Sequence, residues 1–369
     1  MLQILAITAE NRIAYEDIVA GELGSAISQS MAWGVMQQRF GRQSRGFAVV
    51  NEQREVLGSM LLTKHPEPAG RCFLYASRGP IFNPKEPEVF KLMLAEAAKL
   101  AKKERAIFLR LDPALIISQE PVLPGKPQGN YGEYAPPVAA DYFLSFGLKR
   151  AHASYQPNHS IVLDLALSEE ELLAQMKPKG RYNIKLSQQK GVTVREAKEM
   201  SRDLPIFLDL LKTTSKRDSF QAHQGIYYKN MLETLRPLGL AHLLIAEQRG
   251  QPLAAIIMTV YGNKAIYYYG ASANEKRELM APYLLQWEAI RLAKQKGLRY
   301  YDFLGVAPQY DRYHPWAGVT DFKRKFGGTQ LNFVGTFELV YDPLWYRMMI
   351  WGKRVRKLSQ KLVPARALQ

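Results

Sequence analysis

Hydrophobic and polar positions along this 369-residue chain follow two rhythms, and the same succession of rhythms occurs twice. "FAVVNEQREVLGSMLLTKH" (47–65) is an apolar run, an "EQR" turn with a glycine nearby, and a second apolar run; "LLIAEQRGQPLAAIIMTVYG" (243–262) repeats it. Aromatic and β-branched runs bounded by Gly or Pro predict strands. At nearly the same offset, about 195 residues, "CFLYASRGPIF" (72–82) is matched by "AIYYYGASANE" (265–275). "LMLAEAAKLAKKERAIFLRLDP" (92–113) is likewise matched by "YLLQWEAIRLAKQKGLRYYDFLGV" (283–306). In the last pair apolar residues recur at three- and four-residue spacing, as at Leu94, Ala97, Ala98 and Ala101, which predicts helix. Each half therefore reads strand, turn, strand, strand, helix, strand, a duplicated α/β unit.

Several segments lie outside the repeat. Ser168 followed by Glu171 makes a capping-box helix start at the opening of the second copy. Residues 112–143, rich in Pro and Gly and without a sustained period, predict a long loop near the domain junction. From Leu344 onward, Trp345, Met348, Ile350, Trp351, Val355, Leu358 and Leu362 recur at helical spacing among seven Lys or Arg and no acid, a basic amphipathic helix. Two readings stand for it: its stripe packs onto the first domain, or it lies on anionic lipid at the inner membrane surface. "DFKRKFGG" (321–328) sets three cations and two aromatic rings before a double glycine, which predicts a strand and a turn. The expected division is 1–157 with 334–369, and 158–333.

Composition narrows the class. With 47% hydrophobic and 23% charged residues and no apolar run of membrane-span length, the chain is expected to be a soluble, two-domain protein. Cys72 stands alone, and the N-terminus lacks a basic region before its short apolar stretch, so a cytoplasmic protein without a secretory signal is expected; a monomer is expected as well. The formal charge of +16 favours a polyanionic partner: nucleic acid, nucleotide substrate or anionic lipid. The six histidines show no metal-ligand spacing, so no metal is expected.

A mixed sheet with a helix returning to its last strand resembles the GNAT-type acyltransferase fold, here in tandem. "MKPKGRYNIKLSQQKGV" (176–192), "TTSKRDSFQAHQGIYYKNM" (213–231), "YYYGAS" (267–272), "APYLLQWEAIRLAKQKGLRYYDFLG" (281–305) and "VTDFKRKFGG" (319–328) resemble the Fem aminoacyltransferases, most densely from 160 to 330. The resemblance implies transfer of an amino acid from aminoacyl-tRNA to the side-chain amine of the third residue of a peptidoglycan precursor's stem peptide. The precursor would be UDP-MurNAc-pentapeptide or a lipid-linked form, and no cofactor is implied. The chain resembles the compact members that lack a coiled-coil arm.

The resemblance also points to positions. Gln37 and His223 stand where the family holds the precursor's diphosphate with a lysine and an arginine; Arg39, Arg42 and Arg45 lie close by in sequence. Tyr227 and Tyr269 match tyrosines that line the precursor site. Asp112 matches an acidic residue at the end of the first copy's last strand. Phe322 and Lys323 match a Phe-Lys pair associated with the aminoacyl end of the tRNA, so "DFKRKFGG" is expected to be the donor-site strand.

The chemistry has uses for these types. An aminoacyl ester is already activated, and positioning supplies roughly 7 to 11 kcal/mol of such a barrier. The amine must lose a proton, for which Asp112 is the one family-matched carboxylate; a structural or substrate-positioning role for it, and a base within the substrate, stay open. Lys323 suits either an oxyanion or a phosphate of the tRNA end. Two other classes remain: a CoA-dependent N-acyltransferase, against which the glycine-bearing pyrophosphate turn is missing at both copies, and a non-catalytic tRNA- or RNA-binding protein.

Overall fold

The computed structural model describes residues 1–8, 10–21, 27–123, 140–309 and 311–362. Two eight-stranded mixed sheets carry the duplicated pattern. In the first, strands run Gln3–Ala6, Ser44–Val50, Val56–Glu67, Arg71–Ala76, Ala106–Leu111, Phe337–Val340, Lys149–Arg150, with Ile81–Phe82 also on Val56–Glu67. In the second the order is Thr193–Glu196, Ala241–Gln248, Gln251–Tyr261, Lys264–Ser272, Tyr300–Asp302, His159–Asp164, Thr329–Phe333, Ile116–Pro121.

Each sheet has one parallel pair: Arg71–Ala76 with Ala106–Leu111, and Lys264–Ser272 with Tyr300–Asp302. Parallel neighbours need a long crossover, and in both copies a helix supplies it, Pro87–Glu104 and Ala281–Gln295. Val89, Phe90, Met93, Leu94, Ala97 and Ala101 form the buried stripe of the first helix, at the spacing that places them on one face. The second helix buries Leu284, Leu285, Ala289, Ile290 and Ala293 in the same way. The expected mixed α/β fold in tandem is therefore the fold observed. The capping box also forms: Glu171 N–H donates to Ser168 Oγ at 3.1 Å, and Ser168 N–H to the Glu171 carboxylate at 2.7 Å.

Three expectations need correction. Residues 112–143 are not one loop, because Ile116–Pro121 is a strand paired with Thr329–Phe333 at the edge of the second sheet, and Ala140–Ser145 is a helix. Residues 124–139 lie outside the described residues. That edge strand belongs by pairing to the second sheet, although its position falls within 1–157, while Phe337–Val340 returns to the first sheet.

The third correction concerns "DFKRKFGG", which is not a strand. Ala317–Lys323 is an α-helix and Arg324–Phe326 a 3-10 turn. Thr320, Lys323 and Phe326 are the buried positions, three residues apart, a helical and not an alternating period. The strand begins only at Thr329, after Gly327 and Gly328 at φ 78° and 84°. A Cβ on Gly327 would come within 2.5 Å of Gln175 O, and one on Gly328 within 2.5 Å of Val162 O, so both glycines are needed for the close approach.

The two halves share a core. Ile27, Ala32, Trp33 and Met36, on and before the helix Met31–Gln38, pack with Phe207, Leu211, Tyr228, Met231 and Leu232 of the second half. The terminal helix Pro343–Leu362 seats Tyr346 on Phe73, Tyr75, Ile107 and Phe108 of the first sheet, with Trp345, Met349 and Ile350 beside it.

Candidate active site

Both parallel pairs splay apart at the same place in the repeat. In the second sheet the pairing stops at Ile266 opposite Asp302, while Lys264–Ser272 runs on. In the first it stops at Ala76 opposite Leu111, just before Ser77 and Asp112.

Lys323 reaches the second splay from the helix beyond it. Its Nζ donates to Leu304 O at 2.9 Å and Gly305 O at 2.7 Å, and lies 5.4 Å from the centroid of Tyr267. Burial lowers its pKa to about 7, against the opposing charge of Asp302. Asp302 in turn accepts from Ser160 Oγ and from Leu304 N–H at 2.7 Å, holding Leu304 at φ 53°, a left-handed conformation unusual for leucine. The ammonium has three donors and two are committed, leaving one. Phe322 does not join this polar group: its ring packs edge-on against Tyr283 and Phe326, 5.1 and 5.5 Å between centroids.

At the first splay, Asp112 is 3% exposed and accepts from Tyr75 OH and Thr336 Oγ1, one hydroxyl on each carboxylate oxygen. Burial raises its pKa; the two hydroxyls, Arg78 and Arg110 work against the rise.

A third group joins the two halves. Tyr269 OH lies 3.3 Å from Tyr227 OH, His223 stacks on Tyr227 at 4.2 Å, and Phe40 lies on Tyr227 at 5.3 Å. Trp33 meets Tyr268 at 5.7 Å. Burial raises the pKa of Tyr227 and Tyr269, so both are neutral phenols. Burial, and then the charge of Arg42, lowers that of His223. Gln37, 5% exposed, accepts from Arg42 Nη1 at 3.0 Å. Arg39 points elsewhere, to Glu233 at 3.0 Å, and Arg45 lies 3.9 Å from Glu104.

The structure thus brings Gln37, His223, Tyr227 and Tyr269 together and sets Asp112 and Lys323 at separate splays. Arg39 and Phe322 stand outside these groups. Arg42 is the residue the sequence left undistinguished among three neighbouring arginines; its one signal is a place five residues after Gln37, across the turn that ends the helix Met31–Gln38. Arg78, Tyr75 and Thr336 carried no signal of their own.

Comparison with known proteins follows this architecture. The "Lipid II:glycine glycyltransferase" of Staphylococcus epidermidis is 22% identical, covering 92% of each chain. "Aminoacyltransferase FemA" of Staphylococcus aureus is 22% identical over 88% of this chain and 94% of that protein. Among solved structures, FemX superposes with a TM-score of 0.80 at 19% identity, over 94% of this chain and 99% of that one. A tandem GNAT protein of clavulanic acid biosynthesis gives 0.55 at 15% identity, over 92% and 98%. The FemAB family model matches residues 22–247 and 236–353. With nearly the whole chain matched, this protein belongs to the FemAB family.

Proposed function

We propose that this protein moves an amino acid from aminoacyl-tRNA to the side-chain amine of the third residue of a peptidoglycan precursor's stem peptide. The observation that carries the reading is Lys323: a buried ammonium with one donor uncommitted, at the splay of a tandem acyltransferase fold. FemAB membership, and relatives named for glycyl and aminoacyl transfer, support the reaction class.

In the reaction the acceptor amine, once neutral, attacks the ester carbonyl carbon. The carbonyl oxygen takes up negative charge opposite the free donor of Lys323, where a fixed cation in a dry site is worth most. The intermediate collapses by breaking the bond to the ribose oxygen, which departs with the proton the amine loses. Asp112, with a hydroxyl on each oxygen, holds Tyr75 and Thr336 in place and is assigned a positioning role. Tyr227, Tyr269, His223 and Gln37 line the acceptor end, with Arg42 as its cation.

The acceptor is nucleotide-linked or lipid-linked. The relative named for lipid II favours the second form, as does a helix that leaves Leu344, Met348 and Trp351 exposed on the surface. No helix among the described residues is long and apolar enough to cross a membrane. We propose further that the protein is a cytoplasmic monomer whose terminal helix touches the inner membrane surface.

The test offers purified protein a panel of aminoacyl-tRNAs with both precursor forms and follows the mass of the stem peptide. A gain of one aminoacyl residue, abolished by RNase treatment of the donor and indifferent to EDTA, is expected. Product that survives RNase, or that requires acetyl-CoA, rejects the reading.

A further inference from the structure

Arg78 is a buried cation with no role in the reading so far. It is 5% exposed, yet it forms no ion pair with any described carboxylate. Its Nη2 donates to Pro157 O at 2.8 Å, and its guanidinium lies over the Phe333 ring at 4.5 Å; among the described residues, Nε and Nη1 have no acceptor. Buried arginines are ordinarily paired, because an uncompensated charge away from water is costly. Asp112 feels the charge of Arg78, but its oxygens accept from Tyr75 and Thr336 and it forms no ion pair with Arg78.

The surrounding residues are built to hold this cation where it is. Ser77 O accepts from Ser28 Oγ at 3.0 Å and Gln29 Nε2 at 2.8 Å, and Ser77 Oγ from Gln156 Nε2 at 3.1 Å. Gln29 is itself fixed by Leu61 N–H at 2.9 Å. Arg78 adopts φ 55°, and a Cβ on Gly79 would stand 2.5 Å from the Gln29 side chain. A left-handed arginine between a doubly bonded carbonyl and an obligatory glycine is a costly placement, the kind found where function requires it.

Its location lies between the two ends of the proposed reaction. Pro157, whose carbonyl Arg78 holds, sets its ring against Gly305, where a Cβ would meet Pro157 Cγ at 3.1 Å. Gly305 O is a partner of Lys323. On the other side the charge of Arg78 acts on Tyr268, the neighbour of Trp33 and Tyr269.

We propose that Arg78 is the carboxylate anchor of the acceptor site: its free N–H edge takes a carboxylate of an acidic peptide, between the reacting amine and the diphosphate end. Arg42 already serves the diphosphate end, and the planar fork of arginine matches a planar carboxylate at two points. The proposal rests on the acceptor assignment made under the proposed function.

The experiment compares wild type, Arg78→Gln and Arg78→Lys. The acceptor is the precursor with its stem-peptide carboxylates free, the same precursor with them converted to carboxamides, and the stem peptide without the diphosphate. Binding by calorimetry and kcat/KM are measured, with a melting curve for each variant. Wild type is expected to lose about 10- to 100-fold in affinity on amidation, the scale of a charged hydrogen bond. Arg78→Gln should bind the free form that much more weakly and no longer distinguish it from the carboxamide, while Arg78→Lys recovers part of the preference. The same pattern should persist without the diphosphate. Retained discrimination by Arg78→Gln, or an equal loss for both acceptors, overturns the proposal alone; the second result marks a merely structural arginine. An Arg78→Gln defect that vanishes with the diphosphate also overturns it, as phosphate recognition. Failure of wild type to bind or aminoacylate any acceptor rejects the functional reading, and this proposal with it.

Discussion

Arg42 donates to Gln37 at 3.0 Å, and its charge reaches His223 and Tyr227, so a cation stands at a place where the sequence shows a glutamine and a histidine. Arg39 and Arg45 are drawn off by Glu233 and Glu104, which leaves Arg42 as the arginine of the three directed at this group. Arg42→Gln should therefore raise KM for a diphosphate-bearing acceptor by roughly tenfold or more, with little change in kcat. Gln37→Lys in the wild-type background sets a second cation against Arg42 and should not help. In the Arg42→Gln background it should restore binding. An unchanged KM in Arg42→Gln, measured with saturating donor, rejects the assignment.

Lys323 carries a prediction in pH. With its pKa lowered to about 7 by burial, the ammonium needed opposite an oxyanion is lost as pH rises through that value. The rate of aminoacyl transfer at saturating substrate should fall on the alkaline side of about 7. The stability effect has the opposite sense: between about 7 and the ordinary lysine value of 10.5 the unfolded chain binds a proton that the folded one does not. Stability should therefore rise across that window and be lost as pH falls through it. Lys323→Met should remove the alkaline rise in a denaturation series and cost roughly 10² to 10³ in rate. Arg324, bonded to Gln330, and Lys325, bonded to Asp321 O, should tolerate methionine far better. Equal losses in all three variants would mark a diffuse basic patch.

Asp112 tests positioning against proton transfer. Asp112→Asn keeps an oxygen and an amide for Tyr75 and Thr336, whose hydroxyls are able to donate or accept. A positioning residue should then retain kcat within about tenfold with an unaltered pH profile, whereas loss of a general base costs about 10² to 10⁴. Asp112→Leu, which removes an acceptor from two buried hydroxyls, should lower stability by about 2 to 4 kcal/mol. A kcat drop beyond a hundredfold in Asp112→Asn, with a lost acid limb, would make Asp112 the base.

The repeat was legible in the chain because strand and helix periods are local. Leu94, Ala97 and Ala101 declare their helix without help from the other half, and all three are buried as their spacing implies. "DFKRKFGG" reads as a strand and a turn because its double glycine signals only the turn; what decides is that Lys323 is buried beside the carbonyls of Leu304 and Gly305, a contact the other side of the fold supplies. Ile116–Pro121 was hidden for a similar reason, since an edge strand of six residues is specified mainly by the partner it meets, here Thr329–Phe333. Arg78 sits in "SRGP", an ordinary turn by sequence, and becomes a buried cation only when Pro157 and Phe333 close over it. Nothing local separates Arg42 from Arg39 and Arg45, because three arginines within seven residues are distinguishable only by which acids face them.

The terminal helix bears the final prediction. Tyr346 is 4% exposed against the first sheet, which realises the packing reading, yet Leu344, Met348 and Trp351 are 68%, 48% and 70% exposed. Their spacing, i, i+4 and i+7, puts them on one face away from Tyr346. The chain from Leu344 onward has seven Lys or Arg and no acid. An apolar stripe flanked by cations suits the interface of an anionic bilayer, where aromatic and aliphatic groups enter the headgroup layer and cations remain at the phosphates. The protein should float with vesicles containing phosphatidylglycerol, less so at high salt, and not with purely zwitterionic vesicles. Leu344→Ser combined with Trp351→Ser should weaken that binding by roughly 10- to 100-fold, from the apolar area withdrawn from lipid. It should reduce turnover of a vesicle-borne, lipid-linked acceptor and leave turnover of a soluble nucleotide-linked acceptor unchanged. A wild-type protein that stays at the bottom of the gradient, or a double variant that floats equally well, would assign this face to some other contact and leave the packing of Tyr346 as the helix's purpose.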